Sequence, residues 1–156
     1  TNLAAATLVD APSTVPVIRS LLRASAYPTA GPEGAVTYPA VVESVHDGDT
    51  LRVIGLVREG LADDSESARL VRVTVRLAGI NTPELNDADP GDRARAREAR
   101  DRLRQLAPDG ALVTVTDRGR EKYGRTLADI TLHRGGSVAA TLIAEGHGKP
   151  YAGGAR

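Results

Sequence analysis

From Val71 to Leu77 apolar and polar residues alternate: Val71, Val73, Val75 and Leu77 on one parity, Arg72, Thr74 and Arg76 on the other. A period of two is the pattern of a strand with one face buried, and no helix can hide such a set from water. Val41, Val42 and Val45 form a similar run ahead of His46-Asp47-Gly48-Asp49, and Leu51, Val53 and Ile54 follow it. Asp and Gly at the junction suit a hairpin tip, so these two runs predict paired strands. Leu112, Val113 and Val115 predict a fourth strand. Leu127, Ile130 and Leu132 predict a fifth, turned at Arg134-Gly135-Gly136.

Composition narrows the core further. The chain has 156 residues, 41% of them hydrophobic, with no Phe, Trp, Met or Cys. Its interior must be built from Val, Leu, Ile and Ala, and the β-branched members favour strands. Two helices interrupt the β pattern. Asp92 is expected to cap one from Arg93 to about Ala107, with Ala96, Ala99, Leu103 and Leu106 inward and Pro108-Asp109-Gly110 ending it. The other runs from Val138 to Ala144 and stops at Gly146. Three strands, a helix, two strands and a helix give an α+β, mainly β fold: a five-stranded Greek-key barrel of the OB type with two packed helices.

Residues 1–38 read as an N-terminal extension to the barrel domain of residues 39–156. Pro12, Pro16, Pro28, Pro32, Gly31 and Gly34 punctuate the extension, and Val15 to Ala26 is its one candidate helix. It is either a flexible tail or an arm packed on the domain, on a second copy or on a larger assembly. Glu59 to Arg69 reads as a long polar loop. Nothing approaches the roughly 18 apolar residues of a membrane span. The opening Thr1-Asn2-Leu3 lacks a basic leader region, which fits a cytoplasmic or particle-associated protein or a secreted one already processed. Without Cys, the redox compartment stays open.

Three short runs carry chemistry: Asp47-Gly48-Asp49-Thr50, Arg76-Leu77-Ala78-Gly79-Ile80-Asn81-Thr82-Pro83-Glu84 and Lys122-Tyr123-Gly124-Arg125. Each alone has a plain reading as hairpin tip, strand end or surface arginine. Together they hold what a hard cation and a phosphate require. Asp49, Asn81 and the Thr82 carbonyl offer oxygen ligands. Arg76 and Arg125 offer planar donor forks for phosphate oxygens. Glu84 is suited to orient or deprotonate a water.

In order and spacing these runs resemble the staphylococcal nuclease (thermonuclease) family. The likeness extends from about Ala40 to Arg156 and includes the closing Ile143-Ala144-Glu145-Gly146-His147-Gly148-Lys149-Pro150-Tyr151. The resemblance implies an OB-type barrel and Ca²⁺-dependent hydrolysis of DNA and RNA that breaks the bond to the 5′ oxygen and leaves 3′-phosphate ends. It puts Arg76, Glu84 and Arg125 at catalytic positions and Asp49, Asn81 and Thr82 at calcium positions. Lys122, Tyr123 and Tyr151 fall where the family touches the nucleotide, and Asp47 falls beside the calcium ligands as their support. Degenerate relatives that only bind typically lack the arginines or the glutamate, and all three are present here. A non-catalytic nucleic-acid-binding or accessory subunit of a larger assembly is the alternative on the same fold.

Two departures from the family pattern carry expectations. Asn81 stands where the family usually has Asp, so one ligand charge is missing and Ca²⁺ should bind more weakly. The sequence stops soon after Tyr151, whereas longer relatives continue into a further helix, so residues 1–38 are expected to supply stability instead. Twenty basic against twenty acidic residues give a formal net charge of zero, which predicts modest affinity for duplexes and a preference for single strands. The arginines at 93, 95, 97, 100, 102 and 104 interleave with Asp92, Glu98 and Asp101 and read as a solvated helix face, with a nucleic-acid track as the alternative. His46 lacks a second histidine to make a metal pair, and His133 and His147 are expected at solvent-facing ends.

Overall fold

The computed structural model describes residues 7–8, 36–58 and 68–152. The candidate helix at 15–26 and most of the loop at 59–69 lie outside the described residues. Strand β1 is Thr7–Leu8, β2 Val36–Asp47, β3 Thr50–Arg58, β4 Ala68–Leu77, β5 Ile80–Asn81, β6 Leu112–Arg120, β7 Thr126–Leu132 and β8 Lys149–Pro150. Helix α1 is Pro90–Leu106 and α2 is Val138–Ala144. The main sheet runs β4-β3-β2-β6-β7, and β7 returns to pair with β4. That last pairing is parallel (Val75↔Thr126, Leu77↔Ala128) and closes a five-stranded barrel, as the sequence predicts. Closure leaves this part of the sheet without a free edge.

Alternation decides which side chains enter the barrel. Val53 pairs with Val73 and Leu51 with Val75, and all four are buried. Val113, Val115 and Ile130 complete the opposite wall. With no Phe or Trp to span the space, one large ring is recruited: Tyr38, 4% exposed, lies over Gly55. A Cβ at Gly55 would stand 2.5 Å from the tyrosine ring. Burial raises the Tyr38 phenol above the usual tyrosine range.

Helix α1 begins three residues before the expected start. Its cap is Asp89, whose carboxylate accepts the Gly91 N–H at 3.0 Å, with Pro90 in the first position. Asp92 sits in the first turn, where its charge favours the helix dipole. Ala96, Ala99 and Leu103 are fully buried, and the two alanines let the helix approach the β2–β3 hairpin closely. In α2, Ser137 caps by accepting the Ala140 N–H, and Val138, Ala139 and Leu142 are buried. The helical arginines pair with nearby acids, Arg95 with Asp92 and Arg102 with Glu145, as a solvated face does.

Three two-residue strands lie outside the sequence expectation. β5 pairs with β8, Asn81 opposite Lys149, and the Tyr151 N–H reaches the Gly79 carbonyl at 2.9 Å. This ribbon brings the C-terminal segment back to the end of β4. β1 pairs with β4, Thr7 opposite Arg72, so this piece of the extension joins the barrel's own sheet.

Two predictions follow from this packing. A Cβ at Gly48 would lie 2.7 Å from the Ala99 Cβ and 2.9 Å from the Thr82 Oγ1. Gly48→Ala is therefore expected to cost about 1–3 kcal/mol in urea unfolding, and an unchanged midpoint would refute the contact. Deleting residues 1–35 is expected to lower Tm; an unaltered Tm would mean that the extension contributes nothing to the barrel.

Candidate active site

The Gly48-Asp49 turn joins β2 to β3, and the end of β4 lies beside it: the Leu77 N–H donates to the Asp49 carbonyl at 2.8 Å. Asp49 is 8% exposed and is held from several sides. Its Oδ2 accepts the Thr82 N–H at 3.2 Å and stands 3.4 Å from the Arg76 guanidinium. Its Oδ1 accepts the Thr50 hydroxyl at 3.3 Å, and its own N–H donates to Asp47 Oδ1 at 3.1 Å. Burial pushes the Asp49 carboxyl above the ordinary aspartate range. Asp47 pushes the same way, against Arg76 and the Thr82 N–H.

Arg76 is positioned by the strand. It pairs with Thr50 across β3 and β4, and its Nη1 donates to the Leu77 carbonyl at 2.6 Å. Arg125 comes from the β6–β7 loop and crosses to the hairpin, where its Nη1 donates to Thr50 Oγ1 at 3.0 Å. Its Nη2 donates to Glu121 Oε2, also at 3.0 Å. The Thr50 hydroxyl thus links Arg125 to Asp49. The hydrogen bonds from Arg125 hold the Glu121 carboxyl below its usual range, and Glu121 raises Arg125 in turn.

All nine residues singled out from the sequence line one cavity of about 690 Å³: Asp49, Arg76, Asn81, Thr82, Glu84, Lys122, Tyr123, Arg125 and Tyr151. Their exposures differ. Thr82 is 6% exposed, whereas Asn81 and Glu84 stand open to solvent. Tyr123 (73% exposed) and Tyr151 (39%) are large rings left unburied at its rim. Lys122 Nζ sits 4.8 Å from the Tyr123 ring centroid, a cation–π contact. His46 and Asp47 line the same cavity.

Sequence reasoning passed over two members of the site. Thr50 belongs to the Asp-Gly-Asp-Thr run, yet its buried bridging hydroxyl shows only once β4 pairs with β3 on one side and β7 on the other. Glu121 precedes the Lys-Tyr-Gly-Arg run by one residue, and its spacing of four from Arg125 was the available signal. Among the described residues, no three His, Cys, Asp or Glu side chains converge as metal ligands.

A closed five-stranded barrel with two helices and arginines gathered beside carboxylates at one end defines the class. Residues 74–153, just over half of the chain, match the family described as staphylococcal nuclease homologue, and the chain belongs to that family. It is similar to Endonuclease YhcR of Bacillus subtilis (strain 168), 26% identical over 129 residues. That match covers 78% of this chain and spans 10% of the relative's length.

The raised Asp49 carboxyl has a measurable consequence. A pKa above the unfolded value of about 3.9 means that ionisation is less favourable in the fold. The stability Asp49 contributes is full below that pH and falls as pH rises through the folded value. Asp49→Asn is expected to raise the unfolding midpoint at pH 7 in chelator, with the gain vanishing near pH 3. A variant less stable at pH 7 would show that the Arg76 and Thr82 contacts outweigh burial.

Proposed function

We propose that the chain is a sugar-nonspecific nuclease that hydrolyses DNA and RNA phosphodiesters with Ca²⁺ and leaves 3′-phosphate ends. The observation that carries this is the gathering of Arg76, Arg125 and Glu84 around one cavity together with Asp49, Asn81 and Thr82. Arginine forks suit phosphate oxygens, and a solvent-open carboxylate suits an attacking water.

The donor set is chemically right for a hard cation: Asp49, the Asn81 amide and the Thr82 carbonyl are all oxygen donors, with Asp47 beside them in support. It carries little negative charge for a calcium site, in keeping with the lack of three converging acidic or histidine side chains among the described residues. When bound, Ca²⁺ would neutralise charge on the phosphate and help to fix it for in-line attack.

The chain's own residues do the rest. Arg76 and Arg125 hold the phosphate oxygens and stabilise the charge that builds as water adds to phosphorus. Glu84 takes the proton of that water. The bond to the 5′ oxygen breaks, and that oxygen leaves with a proton from solvent. Tyr123 and Tyr151 offer ring faces to the nucleotide, and Lys122 offers charge to its backbone. A zero net charge keeps affinity for long duplexes low and favours single strands.

Digestion of single-stranded and plasmid DNA, with Ca²⁺ or with EGTA, tests the reading alongside Glu84→Ala. Calcium-dependent degradation that drops by about 10²-fold or more in the variant is expected. No cleavage at millimolar Ca²⁺ would leave a nucleic-acid-binding module instead. Asn81→Asp restores a ligand charge and should tighten Ca²⁺ binding by about tenfold or more in calorimetry; unchanged affinity would remove Asn81 from the ligand set.

A further inference from the structure

We infer that Glu121 is the positioning residue of the site, the group that fixes Arg125 in the orientation its phosphate contact needs. This rests on the reading of Arg125 as a phosphate ligand. The Glu121 side chain is only 9% exposed although it lies in a hairpin loop. Its Oε1 accepts two backbone N–H groups of that loop, Tyr123 at 2.9 Å and Arg125 at 3.0 Å. Its Oε2 accepts Arg125 Nη2 at 3.0 Å. The main chain of Glu121 closes the same loop, donating to the Arg125 carbonyl and accepting the Gly124 N–H, each at 2.9 Å. Gly124 takes φ +85°, a left-handed conformation that lets the chain turn back so tightly. One carboxylate therefore sets both where the loop places Arg125 and how its guanidinium is turned.

The far side of the guanidinium is fixed by the Thr50 hydroxyl. Between these two contacts Arg125 Nε is buried and has no hydrogen-bond partner. An arginine held at Nη1 and Nη2 while its side chain stays 31% exposed at the cavity is preorganised to offer its remaining Nη hydrogens to a further acceptor at modest entropic cost. Glu121 also offsets one unit of positive charge beside the phosphate position, so its removal acts on binding and turnover in opposite senses. Without it the cavity is more cationic and holds nucleic acid at least as well. Arg125 is then free to rotate, and transition-state contacts weaken.

Glu121→Gln is the test, with a single-stranded oligonucleotide as substrate. The account predicts kcat lower by about 10- to 100-fold with KM unchanged or lower. In an Arg125→Ala background the same substitution should cost no further kcat, because it acts through Arg125. A KM that rises while kcat holds, or a kcat loss that persists in the Arg125→Ala background, would overturn the assignment. Should Glu121→Gln fail to fold, Glu121→Asp keeps the charge while shortening its reach, and the same kcat loss without a KM rise is expected. The positioning itself is read without turnover by the Arg125 Nε–H resonance in ¹⁵N spectra. It should move to the averaged position of free arginines in the variant, while backbone amides outside the loop stay in place. An unmoved resonance overturns the proposal even if the wild-type protein cleaves, and a moved one sustains the positioning even if it does not.

Discussion

The Asp49 carboxylate is the junction on which the site depends. One of its oxygens receives the N–H of Thr82 and faces Arg76; the other receives the hydroxyl of Thr50, which in turn receives Arg125. The three runs that stand far apart in sequence are connected through these contacts. Burial makes the junction directional, because a charge removed from water must be met by donors in fixed positions. The same burial raises the cost of keeping Asp49 ionised, so the arrangement sacrifices some stability for a charged group at the cavity wall.

The barrel supplies the rigidity behind that junction. Asp49 lies on a two-residue turn between paired strands, and Gly48 brings the turn against Ala99 of helix α1 and Thr82. The parallel pairing of β4 with β7 sets the strand bearing Arg76 beside the loop bearing Arg125. At the far side the β5–β8 ribbon carries Tyr151 to the rim. The functional side chains thus sit where strands end, on backbone anchored by packed neighbours, an arrangement suited to preorganised electrostatics.

Much of this architecture is legible in the sequence because it rests on local patterns. Alternation at Val71, Val73, Val75 and Leu77 marks a strand that the core needs, and Asp47 to Asp49 marks the hairpin tip. The start of α1 differs from the sequence expectation because Asp89 and Asp92 are both good caps, and Pro90, which suits the first helical position and follows a cap, decides between them. The β5–β8 ribbon is too short to show any period. Closure by β7 against β4 is a long-range pairing with no local mark. In the site, nine of the residues that line the cavity are visible as motif positions. The hold of Glu121 on Arg125 is not, since it depends on the loop turning at Gly124. The bridge made by Thr50 likewise needs β3 and β7 both to pair with β4.

The central claim, that these three runs form a site for phosphodiester hydrolysis, is tested most directly by the chemistry of the ends it produces. A defined single-stranded oligonucleotide would be incubated with the purified protein and millimolar Ca²⁺, and the product termini identified by mass spectrometry. The account predicts new 3′-phosphate and 5′-hydroxyl ends that form with Ca²⁺ and not with EGTA. Intact oligonucleotide, or 5′-phosphate ends that form equally in EGTA, would contradict it.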